Sequence, residues 1–232
     1  TLSSSSAASD VYKRQTPGPA SAIRRPRFGF ALAIVTQIAM MTGASAPSPF
    51  YPVLAAEIGF DAIVISAVFA VYAIALLLAL LSAGSLSDHI GRRPVAIGGL
   101  LLLAGSMLLF WHADSVATLM LARILQGAAS GVLIAALSAA ALDLAPGGRS
   151  RVAALWNALS PGIGLALGAL VSGIALDVTG QPLLDVFAPL TVIYLVLAAL
   201  FFLAPETAPL HPGAWGSLSF RLSVPALSLI HI

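Results

Sequence analysis

The sequence predicts an all-α, polytopic membrane protein with six transmembrane helices, and three observations carry the prediction. Of 232 residues, 59% are apolar and 9% charged, whereas a soluble domain needs roughly a quarter charged residues to cover its surface. Uncharged runs recur along the chain from Phe28 to Ala56, Ala62 to Ser87, Pro94 to Ala113, Val152 to Leu176 and Val186 to Pro205. Each meets the ~20 residues a helix needs to cross ~30 Å of hydrocarbon. A sixth run, Val116 to Leu142, is broken only by Arg123. Finally, the arginines flanking these runs fall on alternate connections.

The expected spans are 28–47, 61–83, 94–112, 117–142, 151–176 and 186–204. All are too long for barrel strands, and in lipid a helix satisfies every backbone N–H and C=O within the segment. Gly and Pro punctuate the spans, as membrane helices tolerate. Pro161 is expected to kink the fifth near one end.

The chain ends are set apart from this pattern. "DVYKRQ" (Asp10 to Gln15) and "LSLIHI" (Leu227 to Ile232) can be encoded by a DNA word and its reverse complement, and that word is similar to a transposon end used in sequencing libraries. We therefore expect residues 1–15 to be an adapter-derived leader and 227–232 an adapter-derived tail. Residues 16–27 are expected to be a cytoplasmic N-terminal segment. The pI near 9.4 then includes Lys13 and Arg14, and it is no argument for a nucleic-acid partner.

Charge orients the spans, since basic residues stay on the cytoplasmic side. Arg24, Arg25 and Arg27 precede the first span, Arg92 and Arg93 follow the second, Arg149 and Arg151 follow the fourth, and Arg221 follows the sixth. The opposite connections hold Glu57, Asp61, Asp114, Asp177 and Asp185, with no Lys or Arg. Both ends of the six-helix block are thus expected in the cytoplasm, the bilayer being the inner or plasma membrane.

Between the second and third spans stands "GSLSDHIGRRP", residues 84 to 94. A topology signal needs only its arginines. Gly84 and Ser85 also permit close helix approach, Asp88 sits four residues before Arg92, Gly91 can adopt a left-handed turn, and Pro94 is expected at the first position of the next helix. This stretch resembles the loop signature of the major facilitator superfamily of secondary transporters, matching at Gly84, Leu86, Asp88, Gly91, Arg92 and Arg93. "RILQGAASG" (Arg123 to Gly131) is similar to the family's arginine, glutamine, glycine motif, and "APET" (Ala204 to Thr207) resembles the words that often end its sixth helix.

The resemblance implies a fold of two six-helix halves, each made of inverted three-helix repeats, of which residues 28–204 would supply one. Residues 205–226 resemble the start of the cytoplasmic loop joining the halves. The C-terminal half would be a missing partner. The implied function is transmembrane movement of a small-molecule substrate by alternating access, driven by a proton gradient and without cofactor; this chain alone is expected to be inactive. Antiport, symport and uniport stay open, although Ala169 stands where the drug antiporter branch has a proline. A membrane sensor or scaffold of the same fold is the competing class. An enzyme is not expected, because His89, His112, His211 and His231 fall in loops, at helix ends or in the tail and leave a serine such as Ser130 without a base. Nor do four histidines without a cysteine form a metal set at ligand spacing.

Within the spans, Ser160, Gly164, Gly168 and Ser172 recur every four residues and form a helix-packing stripe. Thr36, Gln37, Thr42, Ser45 and Asn157 are candidate cavity groups. Arg123 is the one charged residue inside a span, and Gln126 and Gly127 share its helical face. That face is expected to look inward and, with Gln37 and Asn157, to serve substrate binding or proton coupling, the arginine meeting a carboxylate from the absent half, Asp61 at the rim, or an anionic substrate. Asp143, at the end of the fourth span, is expected to join Asp88, Arg92 and Arg93 in a conformational gate with Gly84 and Gly91.

Overall fold

The computed structural model describes residues 21–83, 90–148 and 150–206, and regular structure among them is helical throughout. The helices are α1 (Ser21–Ser45), α2 (Tyr51–Ile58), α3 (Ala62–Ala83), α4 (Arg92–Trp111), α5 (Val116–Asp143), α6 (Ser150–Val178) and α7 (Pro182–Phe201). Counting α1 and α2 as one broken span, six helical segments are long and apolar enough to cross a membrane. Gly84 and Asp88 of the loop signature, Arg149, the leader and the tail lie outside the described residues.

Local chemistry sets the helix ends. Asp61 Oδ1 accepts from the N–H groups of Ile63 and Val64, both at 3.1 Å, and so caps α3. Ser115 Oγ accepts from Thr118 N at 3.2 Å and caps α5. Both satisfy donors a helix start would otherwise leave orphaned. Several boundaries differ from the sequence expectation, and α1 already begins at Ser21. Helix α7 begins at Pro182, so Asp185 lies in its first turn, not in a loop; proline at the start and an acid against the positive helix end both favour this. Helix α4 begins at Arg92, which makes Pro94 its third residue, still among the N–H groups that need no intrahelical partner. The first span, expected to be continuous over 28–47, breaks after Ser45 and resumes at Tyr51.

Helix pairing is ordered. The main partners are α3 with α5, α1 with α6, α4 with α5, and α4 with α7, while α1 also meets α5 and α7. Exchanging the first three spans for the last three maps α1 on α6 onto α5 on α3, leaves α4 on α7 unchanged, and maps α1 on α7 onto α5 on α4. This is the pairing an internally repeated six-helix block requires.

Small residues make the two closest seams. A Cβ on Gly131 would meet the Leu76 carbonyl at 2.5 Å, and one on Gly127 would collide with the Tyr72 carbonyl, so α5 lies backbone to backbone on α3. On the other side, a Cβ on Gly164 would meet the Ile38 carbonyl at 2.5 Å, and one on Gly168 would strike the Thr42 carbonyl and Ser45 Oγ. Ser160, Gly164, Gly168 and Ser172 are all buried along this face of α6. Ser45 Oγ donates to the Leu165 carbonyl at 2.8 Å across the seam. Large apolar side chains face outward instead, among them Ile74, Leu77, Leu78 and Leu81 on α3, as lipid-facing surface requires.

Candidate functional site

The break in the first span follows from Pro47. A continuing helix would pair the Gly43 carbonyl with the N–H of residue 47, and proline has none. The chain turns instead through a short 3-10 segment, Ser48–Phe50, before α2. Carbonyls freed inside apolar surroundings must find other donors. Helix α5 supplies them: Gln126 Nε2 donates to the Gly43 carbonyl at 2.7 Å and Arg123 Nη1 to the Ala44 carbonyl at 3.0 Å. Arg123 Nη1 also donates to Gln126 Oε1 at 2.6 Å, and Arg123 Nε to the Tyr51 hydroxyl at 2.5 Å.

Arg123 is 1% exposed. It neither snorkels nor meets a carboxylate among the described residues; Asp61 is occupied in capping α3. Its guanidinium lies 5.3–5.5 Å from the ring centres of Tyr51, Phe69, Tyr72 and Phe110, a range at which ring quadrupoles attract a cation. Among the described residues the guanidinium is surrounded by a backbone carbonyl, the Gln126 amide oxygen, a phenol oxygen and four π-faces, and its Nη2 is buried there without a hydrogen-bond partner. The sequence could not place these groups, because carbonyls carry no residue identity.

A second polar cluster joins α1, α5 and α6. Gln37 Nε2 donates to Ser138 Oγ and to Asn157 Oδ1, both at 3.1 Å, and Asn157 Nδ2 donates to the Ser138 carbonyl at 3.3 Å. The cluster borders a cavity of about 100 Å³ lined also by Met40, Met41 and Ile134. Thr42 and Ser45 are not there: Thr42 Oγ1 bonds the Ile38 carbonyl at 2.9 Å, and Ser45 is used in the α6 seam. Thr36 is buried, and its hydroxyl has no hydrogen-bond partner among the described residues.

The arginine-bearing end holds a third arrangement. Arg92 Nη2 lies 3.2 Å from Asp143 Oδ2, which ties the first turn of α4 to the last of α5. Glu206, just beyond α7, accepts from the backbone N–H groups of Arg92 at 2.9 Å and Arg93 at 3.1 Å. A carboxylate there complements the helix dipole and satisfies two orphan donors. Gly91 makes the approach possible: its φ is +104°, and a Cβ would meet Glu206 Oε2 at 2.8 Å. Arg93 also lies 5.3 Å from the ring centre of Phe202.

With six apolar spans and these motifs in place, comparison with known proteins decides the family. The profile of the Major Facilitator Superfamily matches residues 33–231. The chain belongs to the Major Facilitator Superfamily. It is also 31% identical over 153 residues to the uncharacterized MFS-type transporter YhjO of Bacillus subtilis (strain 168). That match covers 65% of this chain and 37% of the relative.

Besides the rings around Arg123, Ser138 and Glu206 are participants that the sequence does not point to. Ser138 carries no signal beyond one hydroxyl on a helix rich in small residues. Glu206 was quoted within "APET" but was given no partner, because its contact lies 114 positions away in sequence. The spacing of Gly127 and Gly131 was a usable signal for the α3 seam, equal in kind to the one on α6.

Proposed function

We propose that this chain forms one half of a secondary carrier that moves a small solute across the plasma membrane by alternating access, coupled to a proton gradient, with a second six-helix half as its partner. Family membership supports transport as the class of function. The observation that carries the mechanism is the charged latch at the arginine-bearing end, where Arg92 and the start of α4 meet Asp143 and Glu206. Its members come from three helices or their ends, and Asp143 is more than a third exposed. Such pairs are worth about 0 to 1 kcal/mol each, too little to lock a fold yet enough to bias a carrier whose two states differ by a few kcal/mol.

In this reading Gly84, Asp88, Gly91, Arg92, Arg93 and Asp143 form the gate, with Gly84 and Asp88 joining from the loop signature. Gln37 and Asn157 contact the solute. Arg123 and Gln126 join α5 to the broken first span and Gly127 seats α5 against α3, so that movement at one end is transmitted to the other. Proteoliposomes holding the complete carrier and a luminal pH dye test the proposal. Screening small solutes should find one whose saturable entry shifts luminal pH, and Asp143→Asn should change that flux at unchanged insertion. Solute entry without any proton movement would remove the coupling, and absence of saturable entry for every solute would remove transport.

A further inference from the structure

The orientation of the Gln37 and Asn157 amides around Ser138 is fixed by one group that can only accept. The Ser138 carbonyl takes a hydrogen bond at 3.3 Å, so the atom of Asn157 facing it is the amide nitrogen. Asn157 Oδ1 is therefore the atom turned to Gln37, and Gln37 must present Nε2 to it at 3.1 Å. The same nitrogen donates to Ser138 Oγ at 3.1 Å. Two consequences follow. Gln37 is 5% exposed, and its Oε1 is buried without a donor among the described residues. Ser138 Oγ is occupied as an acceptor, which directs its own proton elsewhere, and among the described residues no acceptor for it is found.

A buried acceptor lacking a donor costs about 1 to 3 kcal/mol. The cavity beside it is about 100 Å³, somewhat smaller than the ~150 Å³ that holds a benzene ring. Met40, Met41 and Ile134 give it apolar walls, and among the described residues no charged side chain lines it. Ser138 lies five residues from Asp143 at the end of α5, and Asn157 seven from Ser150 at the start of α6. The cavity is thus ~8 to 11 Å inside the arginine-bearing end along the helix axes.

Resting on the transport reading above, we propose that this cavity receives the head group of an uncharged solute bearing a hydroxyl or a primary carboxamide. Gln37, Ser138 and Asn157 all line the cavity, and either group both donates and accepts, so that a small shift of the Gln37 amide toward the solute gives Oε1 its missing donor and the Ser138 hydroxyl its acceptor. A carboxylate has no proton to give Oε1. An ammonium or amidinium would enter without a counter-charge in the lining.

Four small probes of nearly equal shape separate these cases: acetamide, acetone, acetate and acetamidinium. Saturation-transfer NMR on the full chain in lipid nanodiscs should give acetamide saturation in the millimolar range, as four heavy atoms allow. Acetone should bind about tenfold more weakly for want of a donor, and the two ions weaker still. Gln37→Met should abolish the preference for acetamide over acetone. Ser138→Ala removes one hydroxyl from an otherwise unchanged helix and should weaken acetamide several-fold, which keeps the test decisive if the first variant folds poorly. Equal binding of all four probes, tighter binding of either ion, or an intact acetamide preference in both variants would overturn the assignment. Each of those results leaves transport, read by luminal pH, standing. A failed flux assay beside an intact acetamide preference would instead remove transport and keep the site.

Discussion

Arg123 on α5 donates to the carbonyl of Ala44 at 3.0 Å, one residue before the end of the first helix. A buried cation thus serves as the cap that a proline-broken membrane helix lacks. The relationship fixes which substitutions matter. Lysine keeps the charge but loses the fork that reaches Tyr51, Ala44 and Gln126 together.

Arg123→Ala is expected to lower the stability of the detergent-solubilised protein by about 2 to 4 kcal/mol, because it strands the Ala44 carbonyl and empties a packed aromatic cage. Arg123→Lys should recover less than half of that loss. Pro47→Ala should act in the opposite sense locally: a new N–H can pair with the Gly43 carbonyl, so amide exchange across 43–51 should slow. Thermal unfolding and hydrogen exchange read these outcomes. An Arg123→Ala protein as stable as the parent would mean the cap is dispensable.

Gly168 and Gly173 lie on the same helix in opposite situations. A Cβ on Gly168 would strike Thr42 and Ser45, whereas one on Gly173 meets nothing within 4 Å. Gly168→Ala is therefore expected to destabilise by about 1 to 3 kcal/mol through overpacking. Gly173→Ala should be neutral or stabilising by up to ~1 kcal/mol, from helix propensity alone. Paired thermal melts in one detergent check the contrast, and equal effects would show that the seam is not the controlling contact.

Much of the fold was legible because lipid makes a simple demand. A spanning helix must be long, uncharged and internally bonded, and uncharged runs can be counted in a sequence. The break after Ser45 was readable in principle, since Pro47 and Pro49 stand together, but proline is common enough in spans that position alone does not separate a kink from a stop. The site was less legible for a different reason. Arg123 is enclosed by a carbonyl, a phenol and rings from four helices, and Gln37 meets partners 101 and 120 positions away, so both depend on which helices pack together. Periodicity says which face of a helix is polar; it does not say what that face meets.

Topology follows from charge and is checked by itself. Reporter fusions after Arg93, Asp114, Arg149 and Asp185 should read inside, outside, inside, outside. Any other order would contradict the orientation in which the Arg92–Asp143 latch faces the cytoplasm.

Alternating access is the central claim, and the chain has no cysteine, so with any cysteine of the second half replaced by serine a single introduced thiol reports on it cleanly. Ile134 lines the cavity beside Gln37. In the complete carrier, Ile134→Cys should react with a membrane-impermeant maleimide in both inside-out and right-side-out vesicles, and Asp143→Asn should raise the rate from the arginine-bearing side while lowering it from the other. Labelling from one side only, unchanged by Asp143→Asn, would contradict the account.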